Sequence, residues 1–217
     1  MLTEIITEKN TNYELELTKL GLTESEIQEV GKKIIVAFNQ ATKNDAASAS
    51  GIYAYLTAVR ALRDLLCPKG WKVVRCHNLE TTENKDKTIS ILVSSGDINT
   101  GNPEITPKTK NPKGEQTRKV VYQNAKNELF YEFDLKHTSI SKIKPFWVFL
   151  YRIDKDMEQM RMEISLPIEM DYHGTKIDDW KKRIIISPID FKPSPVVSEP
   201  DFAEDFEFKI KRRSNEE

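Results

Sequence analysis

Apolar residues recur along this chain with two periods, first near 3.6 and later near 2. Ile27, Val30, Ile34, Ile35 and Phe38 fall on one side of a helix. Thr23, with Glu26 three residues on, forms a capping box that predicts where this helix starts. Asn39 to Asp45 is polar and breaks the pattern. From about Ala46 to Leu66 a second helix is predicted, with Ile52, Leu56, Val59, Leu62 and Leu66 as its buried stripe. Pro68 and Gly70 stop it. Arg60 and Asp64 stand four apart on its polar side, at the spacing of a helical ion pair.

Beyond Trp71 the period shortens to 2. Trp71 to Cys76 alternates weakly and Thr88 to Val93 more clearly. Leu129, Tyr131, Phe133 and Leu135 alternate with Phe130, Glu132, Asp134 and Lys136, which predicts a strand over 129–136. Pro145 opens an apolar strand, Phe146 to Tyr151. Asp154-Lys155-Asp156 predicts a turn, and Met160, Met162, Ile164 and Leu166 predict a hairpin partner with one wet face. His173-Gly174 marks another turn. Lys176 to Arg183 reads as a short polar segment carrying Trp180, ahead of a short core strand, Ile184 to Ile186.

Helices first and strands afterwards define an α+β class. N-terminal helices pack on a mostly antiparallel sheet, with a long Gly/Pro/Lys-rich loop and an extended C-terminal tail. The expected organisation is an N-terminal helical segment (1–45), an α+β core domain (46–191), and a Pro-rich acidic linker with a strand-like tail (192–217). In that tail Phe206, Phe208 and Ile210 alternate ahead of a basic end. Such a segment would add a strand to a sheet edge, on its own domain or on a protein partner.

Charged residues make up 31% of the chain and hydrophobic ones 38%, so a compact core with long polar loops is expected. Basic and acidic residues nearly cancel, 33 against 34, so any nucleic-acid or membrane role must rest on a local patch. The two cysteines, Cys67 and Cys76, make neither a disulfide framework nor a zinc site, and Cys67 is expected to be a packed thiol. The first ten residues carry no secretory pattern, and the longest apolar run is too short to span a bilayer. These features predict a cytoplasmic protein without a membrane partner. No Walker A, GxGxxG, GxSxG triad or HExxH pattern occurs, and His77, His137 and His173 lie far apart.

The stretch from Ser94 to Lys119 holds three of the eight glycines and three of the ten prolines. A loop of this length is either functional or disordered. It ends in Lys108, Lys110, Lys113, Arg118 and Lys119 against one acid, Glu115. These cations would neutralise phosphates, with Gly101 and Gly114 letting the backbone come close. No aromatic residue is interleaved, so contact would be to the nucleic-acid backbone without base stacking. The bland alternative is a solvated lysine-rich loop.

Asp97 follows the strand ending at Val93, and Asp134 and Lys136 lie two apart on the polar side of the strand predicted over 129–136, beside Glu132. The order helix, strand, strand ending in Asp, strand carrying Asp-x-Lys, over about residues 50–152, resembles the core of the PD-(D/E)xK nuclease superfamily. The resemblance implies Asp97 and Asp134 as ligands of Mg²⁺ and Lys136 as the catalytic lysine. In this chain Gly96, not proline, precedes Asp97. Taken alone, Glu132, Asp134 and Lys136 read as a solvated strand face of cross-strand pairs. Two functions are therefore expected. One is a nucleic-acid-associated protein holding a phosphate backbone through the 108–119 loop, with metal-dependent nuclease chemistry where the resemblance applies. The other is a non-enzymatic subunit of a multiprotein assembly that docks through its loop and tail.

Overall fold

A seven-stranded sheet organises the molecule. The structure, a computed structural model, describes residues 2–133 and 144–192, with the backbone alone for 127–133. The strands are β1 (Glu4–Ile6), β2 (Lys72–Cys76), β3 (Leu79–Glu83), β4 (Ser90–Ser95), β5 (Phe146–Asp154), β6 (Gln159–Met170) and β7 (Ile177–Asp190), in the order β1-β7-β6-β5-β4-β3-β2. Two pairings are parallel, β1 with β7 and β4 with β5; the other four are antiparallel. With helices α1 (Tyr13–Lys19), α2 (Glu24–Phe38), α3 (Ala49–Leu66) and α4 (Glu115–Phe133), this is the expected α+β fold. Among the described residues, no helix is long and apolar enough to cross a membrane.

Helices α1, α2 and α3 cover one face of the sheet. Alternate residues of the central strands point at them: Ile91 and Val93, Phe149 and Tyr151, Met162 and Ile164, Ile184 and Ile186. Ile6, Leu17, Ile27 and Ile34 belong to the same apolar cluster, so the N-terminal segment shares one core with the central strands. The α2 capping box forms as predicted: Thr23 Oγ1 accepts from Glu26 N–H, and Glu26 Oε2 accepts from Thr23 N–H at 3.0 Å. Gly31 lets α2 lie close on the sheet, because a Cβ there would stand 2.5 Å from Ile189 and 2.9 Å from Met162.

Helix α3 forms where expected, but its buried side is rotated. Ala54, Ala58, Ala61, Leu62 and Leu66 are buried, whereas Ile52 and Leu56 are 48% and 60% exposed and Val59 is half-buried. Small residues win the inner face because α3 packs closely against α2, and alanines permit that approach. Leu62 and Leu66 belong to both stripes, so only the C-terminal half matches the prediction. Arg60 donates to Thr57 rather than to Asp64, and Arg63 pairs with Glu80. Cys67, one residue past the helix, is exposed rather than packed.

The strand predicted over 129–136 is corrected. Residues 129–133 continue α4, which begins at Glu115. Thr117, Val121 and Asn124 are its buried positions, at helical spacing. Once those turns are anchored, each further residue adds one hydrogen bond, and that outweighs the weak strand preference of the aromatic run. Asp134 and Lys136 lie outside the described residues. Helix α4 occupies the second face of the sheet, with Val121 against Phe146, Val148, Leu150 and Trp180. The Asn124 amide clamps it there: Nδ2 donates to Phe146 O and Pro167 O at 2.8 and 2.9 Å, and Oδ1 accepts from Phe146 N–H.

Three strands are missed or shortened in the sequence reading. Strand β1 has only three residues. Strand β3 closes a hairpin through His77-Asn78, both at positive φ (47° and 66°), the geometry a two-residue turn needs. Strand β7 runs without a break through the segment read as polar.

Candidate functional site

The loop from Gly96 to Gly114 is ordered, and it forms a strap across the second face of the sheet. Gly96 pairs with Thr109 across an antiparallel bridge, with Asp97 N–H to Lys108 O at 2.9 Å and Lys110 N–H to Ser95 O at 3.0 Å. The strap then adds to the start of β7: Thr109 N–H donates to Ile177 O at 3.0 Å, and Ile177 N–H donates to Thr109 Oγ1 at 3.1 Å. The Trp180 indole N–H bonds Pro107 O at 2.8 Å. Gly101 has φ 73°, and a Cβ there would meet Arg161 at 2.9 Å, so glycine is needed at that corner.

Under the strap lies a buried ion pair. Arg183 and Glu163 are 1% and 0% exposed, and the guanidinium reaches Glu163 Oε2 at 2.9 Å through Nε and 2.7 Å through Nη2. Its remaining donors hold the strap, Nη1 to Ile105 O at 3.1 Å and Nη2 to Asn102 O at 2.9 Å. Burial pushes the Glu163 carboxyl up to about 7, against the pull of Arg183; the charge of Asp97 adds to the rise. Glu163 Oε1, Ser165 Oγ and Thr100 Oγ1 have no protein partner among the described residues. The alternation on the hairpin strand places Glu163 and Ser165 on a wet face, but both are fully buried, because the strap and α4 cover that side of the sheet; the sequence reading assigns Arg183 no role. Their only sequence signal is the charge on β6 and β7, which resembles that of a wet face.

Asp97 itself is half-buried. Its Oδ1 accepts Asn99 N–H at 3.0 Å, and the nearby carboxylate, that of Glu163, is committed to Arg183. Among the described residues no three His, Cys, Asp or Glu side chains gather as a metal site would need. The donor set at Asp97 therefore does not fit Mg²⁺ by itself. The second implied ligand, Asp134, and the implied lysine, Lys136, are outside the described residues, as are Phe206, Phe208 and Ile210.

The basic residues divide. Lys108 pairs with Asp178 at 3.2 Å, and Arg118 pairs with Glu115 three residues before it. Lys110 and Lys119 are exposed, and Lys113 is half-buried with its N–H on Thr175 O. Because 115–133 is helical, Lys119, Tyr122 and Lys126 share one exposed stripe at i, i+3 and i+7. Tyr122 is 46% exposed, so an aromatic side chain does stand between cations, which the loop reading did not foresee.

A different surface lies on the opposite face. Helix α3 sits over β4, and the sheet continues past it as β3 and β2. Register puts Val73, Thr82 and Ile91 on the same face as α3, with Arg75 opposite Glu80. A groove runs between helix and strands, lined by Tyr55, Val59, Arg63, Glu80, Thr82 and Ile91. Tyr55 in the groove is 44% exposed, and Leu56 on α3 and Val73 on β2 are 60% and 38% exposed. Glu80 accepts from Arg63 at 2.9 Å and from Arg75 at 3.1 Å, which holds its carboxyl below the usual range despite partial burial. Burial raises the Tyr55 hydroxyl, and the charge of Glu80 adds to this.

Compared with known proteins, the chain matches no family model, no curated protein and no solved structure.

Proposed function

We propose that this chain binds a nucleic-acid phosphate backbone through the strap's C-terminal end and the first turns of α4. The observation that carries this reading is the exposed stripe Lys119, Tyr122 and Lys126, with Lys110 also exposed at the C-terminal end of the strap. Solvent-exposed ammonium groups exchange condensed counterions for phosphate contacts without reading sequence. Tyr122 offers a π-face on which an unpaired base stacks, worth about 1–3 kcal/mol. Lys108 and Arg118 contribute less, since each already has a carboxylate partner.

Fluorescence anisotropy with a single-stranded oligonucleotide, titrated across salt concentrations, tests the reading. The chain should bind at low salt with little sequence preference. Replacing Lys110, Lys119 and Lys126 with Glu should weaken binding to all sequences alike and reduce the slope of log K on log[salt] by about 2, at roughly 0.7 per single-strand phosphate contact. Tyr122→Ala should weaken binding by about tenfold and leave the slope unchanged. Absence of binding by the unaltered chain at low salt would overturn the reading.

A further inference from the structure

The outer side of α3 gathers exposed apolar residues with no charge between them. In a chain with 31% charged residues, positions 46–59 carry none. The exposed part of that run, Gly51, Ile52, Tyr55 and Leu56, is apolar on solvent, and nothing stands within 4 Å of where a Gly51 Cβ would be. Loss of charge from an exposed apolar face, with arginine and tyrosine at its rim, marks the centre of an interface. The adjoining strands β3 and β2 present Val73 and Thr82 on the same side, with no helix packed across them among the described elements. Helix flank and strand face thus form a shallow, open corner. Arg63 and Arg75 both bond one carboxylate, Glu80, so their charge is half compensated, and a ligand bearing carboxylates would complete it.

The chain contains a segment of that chemistry. Residues 201–208 read DFAEDFEF: Phe202, Phe206 and Phe208 among Asp201, Glu204, Asp205 and Glu207, with no cation. The length of the connection also fits. Strand β7 ends at Asp190, at the same end of the sheet as Cys76 on β2, and the two are five strand spacings apart. That is roughly 24 Å at about 4.8 Å per spacing. The residues from Lys192 to Asp201 reach about 30 Å when extended.

We propose that segment 201–208 of this chain docks in the corner between α3 and strands β3 and β2, with its phenylalanines on Tyr55, Leu56, Val59 and Val73 and its carboxylates toward Arg63 and Arg75. Tethering keeps the segment at an effective concentration near millimolar, so a weak contact is mostly formed within the chain. A second copy's corner is a poorer occupant, because it would bring the same guanidiniums together. The corner lies on the opposite sheet face from α4, so this inference stands apart from phosphate binding.

Disulfide trapping in the full chain tests it. With Cys67 and Cys76 changed to Ser, cysteines are placed by Leu56→Cys and Ala203→Cys; the control pairs Leu56→Cys with Asn215→Cys. Under mild oxidation the first pair should close within one chain about tenfold faster than the control. Either Arg63→Glu with Arg75→Glu, or about 1 M salt with no further substitution, should return it to the control rate. Equal rates for the two pairs, indifference to both charge reversal and salt, or a disulfide formed mainly between chains would each overturn the proposal. The last outcome would assign the corner to a second copy.

Discussion

The two faces of the sheet are covered by different physics. On the α1–α3 face, apolar side chains interdigitate over a continuous cluster from Ile6 to Ile186, and stability there scales with buried area. On the other face the apolar cluster is small, built around Val121, Phe146, Leu150 and Trp180, and the strap beside it is held by directed bonds to Arg183, Trp180 and the start of β7. A greasy face tolerates small shifts. A stapled face does not, because each missing partner leaves a buried polar group unpaired.

The largest effect should come from breaking the staple. Arg183→Met leaves Glu163 buried without its cation and frees the Asn102 and Ile105 carbonyls, at a cost of about 3–5 kcal/mol by denaturant unfolding. Changing Glu163→Leu in the same protein should recover much of that loss, because no unpaired charge remains. If the single variant loses under about 1 kcal/mol, the pair does not hold the strap.

On the apolar face, Leu62→Ala should cost about 2–5 kcal/mol through a cavity. Ile52→Ala, nearly three turns earlier on the same helix and outside the proposed docking contacts, should stay within about 0.5 kcal/mol. Equal costs for the two would show that α3 is rotated toward the sequence-predicted stripe. A smaller loss than that of Leu62→Ala belongs to the strap's corner. Gly101→Ala forces a side chain into a left-handed conformation against Arg161 and should cost about 1–2 kcal/mol in the melt. A neutral outcome there would mean that the strap can shift without loss.

How far the sequence could be read tracks the same division. Helix α2 was legible down to its cap, because Thr23 and Glu26 are local signals and its inner face is made of large apolar residues. Helix α3 misled, because large side chains mark a core only where space for them exists; here Ala54, Ala58 and Ala61 fill the inner face. The 177–183 part of β7 was hidden because Lys182 and Arg183 pair with residues far away in sequence, Glu4 and Glu16 for one and Glu163 for the other. The strap announced itself through its glycines and prolines. Which of its cations are spent was not legible, since the partner of Lys108 is Asp178, seventy positions away. Nor could alternation alone foretell that 129–133 is helical, because helix propagation from Thr117 and Val121 is a property of the preceding turns.

The pairing of β1 with β7 also sets an order of events during synthesis. Glu4 lies beside Lys182 and Ile6 beside Ile184, so β1 must wait for β7. Closing a loop of that span costs roughly 4–5 kcal/mol of chain entropy, and three residue pairs repay little of it alone. The sheet's outer edge therefore seals only after β5, β6 and β7 have assembled, when Lys182 can also reach Glu16. A chain interrupted before Ile184 would keep Ile6 and the α1 side of the core uncovered. Emergence of β7, rather than the appearance of any one helix, is then the step after which the described core resists proteolysis.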